Sequence, residues 1–316
     1  KSPCMVQVLR EARLVAQTDA RILITGESGS GKEVIADLIH RWSARAGNPM
    51  LKVNCAALPE NLLESELFGH EKGAFTGAVR QRRGRFEEAH GGSLFLDEIA
   101  EMSPSLQAKL LRVIQDGDFE RVGSNETRHA DVRVIAATNR VLEQEVAAGR
   151  FREDLFYRLS VIELMLPPLR DRAEDTLALA ELFAARFAKG RARLSTSVSA
   201  ILTLYRWPGN VRELRNAMER AALLSVGGTI MPEHLPRRVR EATAVPQLPG
   251  GNEDGEDGRM KRVERAVIMQ TLAEHSYNRT ETAQVLGISR RALIYKLRDM
   301  EGLGYQTSSS PPASPS

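Results

Sequence analysis

The segment RILITGESGSGKEVIADLIH, residues 21–40, constrains the fold of this chain more than any other. An apolar run of strand character leads into a glycine-rich turn, and a helical pattern follows. The turn, Gly26-Glu27-Ser28-Gly29-Ser30-Gly31-Lys32, fits the pattern G-x-x-x-x-G-K. Small residues let successive N–H groups curl around phosphate oxygens at the positive end of the next helix. The segment therefore predicts a phosphate-binding loop, with Lys32 reaching the β- and γ-phosphates.

Short apolar runs alternate with amphipathic segments through residues 1–170. The runs are rich in Val, Ile and Leu, which is typical of strands covered on both faces. They are RILITG (21–26), LKVNC (51–55), SLFLDE (93–98), VRVIAATN (132–139) and VIELMLPPL (161–169). Helical patterns lie between them, as in residues 33–44 and 106–116. This alternation predicts an α/β domain with a mostly parallel sheet wrapped by helices.

The strand pattern ends after LPPLRDR, and the rest of the chain divides by composition. Residues 171–240 contain only helical patterns, which predicts a small helical domain. Residues 241–258 are rich in Pro, Gly and acids without periodicity, which predicts a flexible linker. Residues 259–301 read as a second compact helical unit, and we expect the Ser- and Pro-rich residues 302–316 to be disordered.

Two acids, Asp97 and Glu98, end the strand SLFLDE. Beside a phosphate loop, Asp97 would hold Mg²⁺ directly or through water, and Glu98 would polarise the attacking water. The plainer alternative is a pair of acids that caps a strand end. Glu33 stands where Ser or Thr usually offers Mg²⁺ a hydroxyl, so the metal would depend more on other acids and on water.

Polar and basic residues after the later strands extend this candidate site. Asn139, at the end of VRVIAATN, would orient the water or sense the γ-phosphate; its alternative is a turn residue. Arg152 and Arg158 lie in RFREDLFYRL. The planar fork of arginine binds phosphate oxygens well, whereas the alternative for both residues is a solvated surface side chain.

The C-terminal unit carries a basic cluster. Residues 259–300 hold nine Lys and Arg against four acids, a local charge of +5 that matters more than the +3 of the whole chain. RTETAQVLGISRRALIYKLRDM reads as a helix–turn–helix, with Gly287 in the turn and Leu293 and Leu297 on a buried face. The candidate DNA contacts are Ser289, which also caps the second helix, and Arg290, Arg291, Tyr295, Lys296 and Arg298. The alternative is a basic surface on a small bundle.

The stretch Gly73-Ala74-Phe75-Thr76-Gly77-Ala78 places an aromatic residue between two glycines, just before the basic run Arg80-Gln81-Arg82-Arg83. Glycines loosen the backbone, and the charges indicate contact with water. From these residues alone, the ring either folds back into the core on a hairpin or is exposed for binding.

Composition excludes several classes of protein. With 42% hydrophobic and 27% charged residues the chain can form a core. No apolar run approaches the ~18 residues that span a bilayer, and there is no charged-then-apolar leader. Cys4 and Cys55 have neither disulfide-framework numbers nor metal-ligand spacing, which fits a reduced cytosolic setting. Because the sequence begins with Lys1 rather than Met, we expect a fragment of a longer protein.

Five segments together resemble the NtrC-like bacterial enhancer-binding proteins, the AAA+ ATPases that activate sigma-54 RNA polymerase. They are GESGSGKE (26–33), NCAALPENLLESELFGHEKGAFTGA (54–78), LFLDE (94–98), FREDLFYRL (151–159) and WPGNVRELRN (207–216). The resemblance extends over residues 1–301, and ELFGHEKGAFTGA is highly specific. It implies a P-loop AAA+ parallel sheet with a helical lid subdomain, followed by a small all-α, Fis-like helix-turn-helix domain.

The resemblance also implies roles for single residues. Asn54 would pair with Glu98 and switch it with nucleotide state, and Asn139 would be the first sensor. Arg152 and Arg158 would be arginine fingers that reach the ATP of a neighbouring subunit. Glu33 is common after the motif lysine in this family. The ATP-binding set would then be Gly26, Glu27, Ser28, Gly29, Ser30, Gly31, Lys32, Glu33 and, as second sensor, Arg212.

The implied cofactors are ATP and Mg²⁺, and the implied partners are sigma-54 RNA polymerase holoenzyme, double-stranded enhancer DNA and further copies of the chain. The copies would form a ring, usually a hexamer, built from dimers whose contact face would be the helix at 260–275. The loop from Gly73 to Ala78 would touch sigma-54, with Phe75 and Thr76 at its tip. A bacterial cytoplasmic location follows, and the family commonly carries an N-terminal receiver or ligand-sensing domain, as in two-component regulatory systems.

Three functions fit parts of the pattern. The first is an activator that remodels the sigma-54 polymerase closed complex into an open one. The second is an AAA+ ATPase with another protein client, or a DNA-binding regulator that acts without sigma-54; the intact G-A-F-T-G-A favours the first over it. The third is a protein that only binds DNA, against which the complete set Lys32, Asp97, Glu98, Asn139 and Arg152 argues.

Overall fold

The computed structural model describes residues 2–188, 190, 192–226, 228–242, 265, 267–272, 275, 277–286 and 288–302. Most of the predicted linker, 243–258, and of the predicted tail, 303–316, lies outside these residues, as do Gly287 and much of the predicted dimer helix. The chain forms two compact units that divide between Val239 and Arg240, and each is described by itself.

The first unit contains a five-stranded, all-parallel sheet, which confirms the predicted α/β fold. Its strand order is β2-β5-β8-β1-β9, formed by β1 (Ile22–Thr25), β2 (Met50–Asn54), β5 (Ser93–Asp97), β8 (Arg133–Thr138) and β9 (Ile162–Met165). Three two-stranded pairs complete the strands: β3 (Gly69–His70) with β4 (Arg82–Arg83), β6 (Asp118–Glu120) with β7 (Thr127–His129), and β10 (Arg193–Leu194) with β11 (Thr229–Ile230).

The helices between the sheet strands are α1 (Pro3–Ala16), α2 (Lys32–Trp42), α3 (Glu60–Phe68), α4 (Arg85–Glu88), α5 (Pro104–Asp116), α6 (Leu142–Ala147) and α7 (Glu153–Leu159). After β9 come α8 (Ala173–Phe187), α9 (Thr196–Leu204), α10 (Asn210–Leu224) and α11 (Arg237–Ala242). Short 3-10 helices occupy Ile99–Glu101, Leu169–Arg172 and Pro232–His234.

Alternate residues of the central strands enter two apolar layers on opposite faces of the sheet. In β5, Leu94 and Leu96 pack into the layer with α3, α5 and α7, whereas Phe95 packs into the layer with α1 and α2. Because side chains alternate along a strand, both faces of β5, β8 and β1 are buried. The parallel arrangement then brings the carboxyl ends of all five strands to one edge.

The prediction of two-sided burial was wrong for β2 and β9. They are the outermost strands of the sheet. Val53 and Leu164 are buried, but the other residues of both strands are partly buried or exposed, with Met165 72% exposed. The prediction of helices alone after residue 170 was also wrong in one detail, since β10 and β11 form a parallel pair there. Two-residue strands are too short to produce an alternating pattern in a sequence.

Helices α8 to α10 surround a separate apolar core with Trp207 at its centre. The Trp207 indole donates to the carbonyl of Leu202 at 2.9 Å. Trp207 and Asn210 both have positive φ, 50° and 52°, so the turn that leads into α10 is sharply bent. We call residues 169–239 the lid; its turn before α10 faces the phosphate loop.

In the second unit, residues 267–272 are helical and pack with α12 (Arg279–Val285) and α13 (Arg290–Gly302). Leu293 and Leu297 are buried, as predicted. The Ser289 hydroxyl accepts from the N–H of Ala292 at 3.2 Å, which confirms Ser289 as the helix cap.

Candidate nucleotide site

The phosphate loop lies between β1 and α2, as predicted. Its glycines have positive φ, 146° at Gly26, 75° at Gly29 and 110° at Gly31, which residues with a side chain rarely adopt. The loop therefore curls so that helix α2 begins directly behind it at Lys32. The positive end of an 11-residue helix and a ring of backbone N–H groups form a suitable cradle for phosphate.

Lys32 is buried beneath this loop. Its ammonium donates to the carbonyl of Gly26 at 2.8 Å and to that of Glu27 at 3.4 Å. Burial lowers the pKa of Lys32, while the nearby Glu98 and Asp97 act in the opposite direction. A lysine whose charge is poorly hydrated and close to two carboxylates is well suited to binding a phosphate.

The acids of β5 lie at the carboxyl edge of the sheet between two polar strand ends. Asp97 pairs in register with Asn54 of β2. On the other side, a Glu98 carboxylate oxygen accepts from the backbone N–H of Asn139 at 3.3 Å. The structure thus brings Asn54, Asp97, Glu98 and Asn139 together. Thr25, the residue before the phosphate loop, pairs in register with Thr138, so this group lies beside the loop.

Glu98 adopts a left-handed backbone conformation, with φ 53° and ψ 48°. This conformation costs a non-glycine residue roughly 1–2 kcal/mol. It follows directly on the last residue of β5 and starts the 3-10 helix Ile99–Glu101. Strain of this kind is found where the surrounding fold holds a functional side chain in place.

Asn54 and Glu98 are neighbours, but no hydrogen bond joins their side chains in the described part of the chain. The Asn54 side-chain oxygen accepts from the N–H of Ala56 at 2.9 Å. Glu33 also points elsewhere, because its carboxylate pairs with Lys52 at 2.9 Å. The switch role of Asn54 and the nucleotide role of Glu33 stay predictions.

Arg152 and Arg158 are exposed on the chain around α7. Arg152 binds Asp154 with two nitrogens, at 3.0 and 2.7 Å. The Arg158 side chain makes no hydrogen bond or ion pair with any residue that the structure describes. Its positive charge contributes, after burial, to lowering the pKa of Arg21. Neither arginine contacts the phosphate loop of its own chain.

The lid contacts the phosphate loop directly through Arg212. Its guanidinium donates to the Ser28 hydroxyl at 2.9 Å, and its backbone N–H donates to the Gly29 carbonyl at 3.3 Å. A Cβ on Gly29 would lie 2.5 Å from the Gly209 carbonyl oxygen, so only glycine permits this approach. The structure thus places the predicted second sensor at the loop.

Three further residues at this contact were missed by the sequence reasoning. Arg170 binds the Glu27 carboxylate with two nitrogens, at 2.7 and 2.9 Å. The fully buried Asn210 donates to the Glu27 carboxylate and to the Ser28 carbonyl. Arg172, also buried, donates to the Ser30 carbonyl at 2.6 Å. The available signals were the two arginines of LRDR after the last strand and the Gly-Asn pair that opens a helix.

The loop at residues 73–78 lies at the tip of the antiparallel pair β3–β4. The Gly73 N–H donates to the Ala78 carbonyl at 2.8 Å, which closes the loop. Phe75 belongs to none of the apolar cores formed by the described residues. The residue is 38% exposed, and its ring meets the His70 ring edge-on at 5.0 Å between centroids. His70 in turn bonds to Ser65 and to the Arg80 carbonyl. The ring therefore rests on the base of its own hairpin.

The basic residues after this loop divide into two kinds. Arg82, Arg83 and Arg85 form ion pairs with Glu66, Glu87 and Glu88. Arg80 is exposed, and no partner for its side chain is found in the described residues. The three paired arginines therefore support the hairpin.

The candidate DNA contacts lie at the start and along one side of α13. Ser289, Arg290, Arg291, Tyr295 and Arg298 are exposed, and Lys296 is half-buried. Leu293 and Leu297 occupy the opposite, buried side. The helix thus presents a basic surface with an exposed tyrosine, as a recognition helix requires.

Three family models match successive parts of the chain. The Sigma-54 interaction domain matches residues 1–165, the AAA+ ATPase lid domain residues 170–249, and the Bacterial regulatory protein, Fis family, residues 259–300.

Curated relatives and solved structures agree with these matches. The chain is 51% identical over 306 residues to the regulatory protein AtoC of Escherichia coli K12, with 94% of this chain and 66% of the relative covered. It is 49% identical to the Nif-specific regulatory protein of Klebsiella pneumoniae, over 95% of this chain and 58% of the relative. The chain thus spans about three fifths to two thirds of the length of these relatives.

Among solved structures, NtrX from Brucella abortus in complex with ADP aligns with a TM-score of 0.76 and 36% identity, over 96% of this chain and 69% of that one. The same protein in complex with ATP aligns with a TM-score of 0.70.

Proposed function

Because this chain belongs to the sigma-54-dependent AAA+ enhancer-binding activators, we propose that it hydrolyses ATP to remodel the sigma-54 RNA polymerase closed complex into an open one. Its central domain is a P-loop AAA+ ATPase domain, and its C-terminal unit is a Fis-type helix-turn-helix. The C-terminal unit would hold double-stranded enhancer DNA, and the loop Gly73–Ala78 would contact sigma-54. These tasks place the protein in the bacterial cytoplasm.

The observation that carries the proposal is the assembly of Lys32, Asp97, Glu98 and Asn139 around one edge of the sheet. Lys32 would neutralise the β- and γ-phosphates, and the loop N–H groups would hold them in place. Glu98, fixed by the Asn139 N–H, would accept the proton of the attacking water.

The same edge fits a divalent metal ion. Asp97 would hold Mg²⁺, directly or through water, and the bound metal would neutralise charge that develops on the phosphates. The described residues contain no cluster of three or more His, Cys, Asp or Glu side chains that could hold a metal. The metal's other ligands would therefore be phosphate oxygens and water, as is usual for Mg²⁺.

Among the described residues, no helix has the length and apolar character of a membrane span.

The arginines explain why the chain would work as a ring, which we expect to be a hexamer. The Arg158 side chain is exposed and unpaired within the described chain, and the Arg152 guanidinium pairs there with the exposed Asp154. Moving either side chain away from its own surface would cost little free energy, so both would be available to bind phosphates in a neighbouring subunit. Mixing Lys32→Ala with Arg158→Ala subunits should restore part of the ATPase activity, because each supplies the half that the other lacks. Absence of rescue at every mixing ratio would contradict fingers acting in trans.

Glu98→Gln tests the proposed hydrolysis. The variant should bind ATP as the unmodified protein does, since Glu98 contacts neither the loop nor Lys32 by a hydrogen bond, while turnover should fall by about a thousandfold. ATP affinity and steady-state phosphate release measure the two quantities. In vitro transcription from a sigma-54 promoter should then require hydrolysable ATP, and full turnover by the variant would remove Glu98 as the base.

A further inference from the structure

Glu27 presents a physical problem in the phosphate loop. A loop that binds a triphosphate gains from positive and neutral groups, and a carboxylate in the same loop repels the ligand. Glu27 is the second of the seven motif residues, and its own carbonyl accepts from Lys32 at 3.4 Å. A neutral residue at this position would bind phosphates more strongly, so the carboxylate calls for a physical explanation.

The lid neutralises this carboxylate. The Arg170 guanidinium covers both oxygens of Glu27, and the Asn210 amide donates to one of them at 3.0 Å. The hydrogen bonds from Arg170 and Asn210 lower the pKa of Glu27, so the carboxylate remains ionised. The charge on the loop is therefore cancelled by groups that belong to the lid and to its connection with the sheet, not by the loop itself.

The ion pair that covers Glu27 is exposed and lies outside the apolar cores. The lid core around Trp207 shares no residue with the two apolar layers of the sheet. The contact at Glu27 is polar, and the Glu27 and Arg170 side chains are 42% and 43% exposed. Exposed ion pairs contribute little to stability. The anchor of Asn210, in contrast, is firm, since its side-chain oxygen accepts from the Leu169 N–H at 2.7 Å within the lid.

We propose that Arg170 and Asn210 are positioning residues through which the lid controls phosphate affinity. With the lid against the loop, the Glu27 charge is covered and nucleotide binds. When the lid moves off, it takes Asn210 and Arg170 with it, and the uncovered carboxylate repels the product ADP. The inference rests on the proposed function, because it concerns release of the product of the same site.

Removing the charge of Arg170 or of Glu27 distinguishes control of phosphate affinity from a purely structural contact. Arg170→Ala uncovers Glu27 and should weaken Mg-ADP binding by about tenfold at low ionic strength, and by less at high salt. Glu27→Gln removes the repelling charge and should raise the affinity. The double variant Glu27→Gln/Arg170→Ala should therefore bind like Glu27→Gln. If the contact served only to hold the loop, all three variants would bind weakly.

The experiment measures the affinity of a fluorescent ADP at two salt concentrations, with ATPase KM and kcat alongside. Arg170→Lys should retain binding, because the charge is kept. Arg112→Ala, which removes an exposed ion pair with Glu120 away from the loop, is the matched control and should change nothing. Melting curves identify a variant that fails to fold, in which case Arg170→Gln replaces Arg170→Ala.

The inference would be overturned if Arg170→Ala and the double variant bound ADP equally weakly. It would also be overturned if the loss of ADP affinity in Arg170→Ala did not depend on salt. Lys32→Ala distinguishes a failure of the inference from a failure of the proposed function. If the unmodified protein binds nucleotide and Lys32→Ala does not, the site is correct whatever the Arg170 series shows. If the unmodified protein binds no nucleotide, the proposed function and the inference fall together.

Discussion

The phosphate loop at residues 26–31 and the loop at residues 73–78 both contain glycines with positive φ, and they differ in what surrounds those glycines. Gly29 faces the lid so closely that a Cβ would lie 2.5 Å from the Gly209 carbonyl oxygen and 2.9 Å from the Arg212 Cβ. Around Gly73 and Gly77 a Cβ would meet nothing within 4 Å. Gly29 therefore serves both the lid contact and the backbone conformation, whereas Gly73 and Gly77 serve the backbone conformation alone.

The difference extends to the bonds that hold each loop. The lid contributes Arg170, Arg172, Asn210 and Arg212 to the phosphate loop. The other loop is closed by its own backbone and by the Phe75–His70 contact. The lid thus holds the first loop, whereas the second is held by its own hairpin and by the approach of Ala74 to Gly123. The variants below test this contrast, in order of the expected change in the free energy of unfolding.

Gly29→Ala should have the largest effect. The added methyl group collides with backbone of the lid, and the left-handed φ adds strain, together about 3 kcal/mol. Nucleotide affinity should fall with it, because the loop and lid can no longer meet. Thermal unfolding and ATP binding measure the two losses. Gly47→Ala, at a position with open space, is the control; an equal loss there would show that the lid contact is unimportant.

Gly73→Ala should cost less, about 1–2 kcal/mol, since φ 83° is strained for alanine but no atom stands in the way. ATP affinity and basal ATPase activity should remain unchanged, while activation of sigma-54 polymerase should fall. The same melting and binding assays apply, with in vitro transcription added. A loss of ATP binding comparable to that of Gly29→Ala would remove the distinction between the two loops.

Phe75→Ala should change stability least, by less than about 1 kcal/mol, because the ring is partly exposed and outside the apolar cores. We expect normal ATPase activity and loss of sigma-54 binding when a transition-state mimic occupies the nucleotide site. Co-elution with sigma-54 on a sizing column measures the binding. Val79→Ala, at a more exposed apolar residue beside the loop, is the control. Retained binding by Phe75→Ala would exclude the ring as the contact.

Local sequence patterns predicted much of the fold and part of the candidate site. The phosphate loop, the strand ends at Asp97 and Thr138, and the buried face of α13 depend on residues close together in the chain, so periodicity and turn chemistry reveal them. Strand burial at β2 and β9 was overestimated because strand order is not encoded in any single strand. Edge positions become visible only when the whole sheet is assembled.

The contacts that Arg170 and Asn210 make with the phosphate loop could not be predicted in the same way. Arg170 and Asn210 lie 143 and 183 residues from Glu27 in the sequence, and their meeting depends on how the lid packs. Neither residue was predicted to take part in the site, because its local sequence does not show which side chain it will meet. The conformation of Phe75 was equally undecided by the residues alone, since its partner His70 becomes its neighbour only through the β3–β4 pair.

At Glu98, the left-handed backbone conformation makes thermal stability and the proposed ATPase activity place opposite demands on one residue. Glycine would relax the backbone there and leave the domain about 1 kcal/mol more stable after its greater chain entropy is counted. It would also delete the group proposed to activate water. A search for heat-resistant variants that scores only melting temperature would therefore favour an inactive protein, so any such engineering must exclude residue 98 from the library.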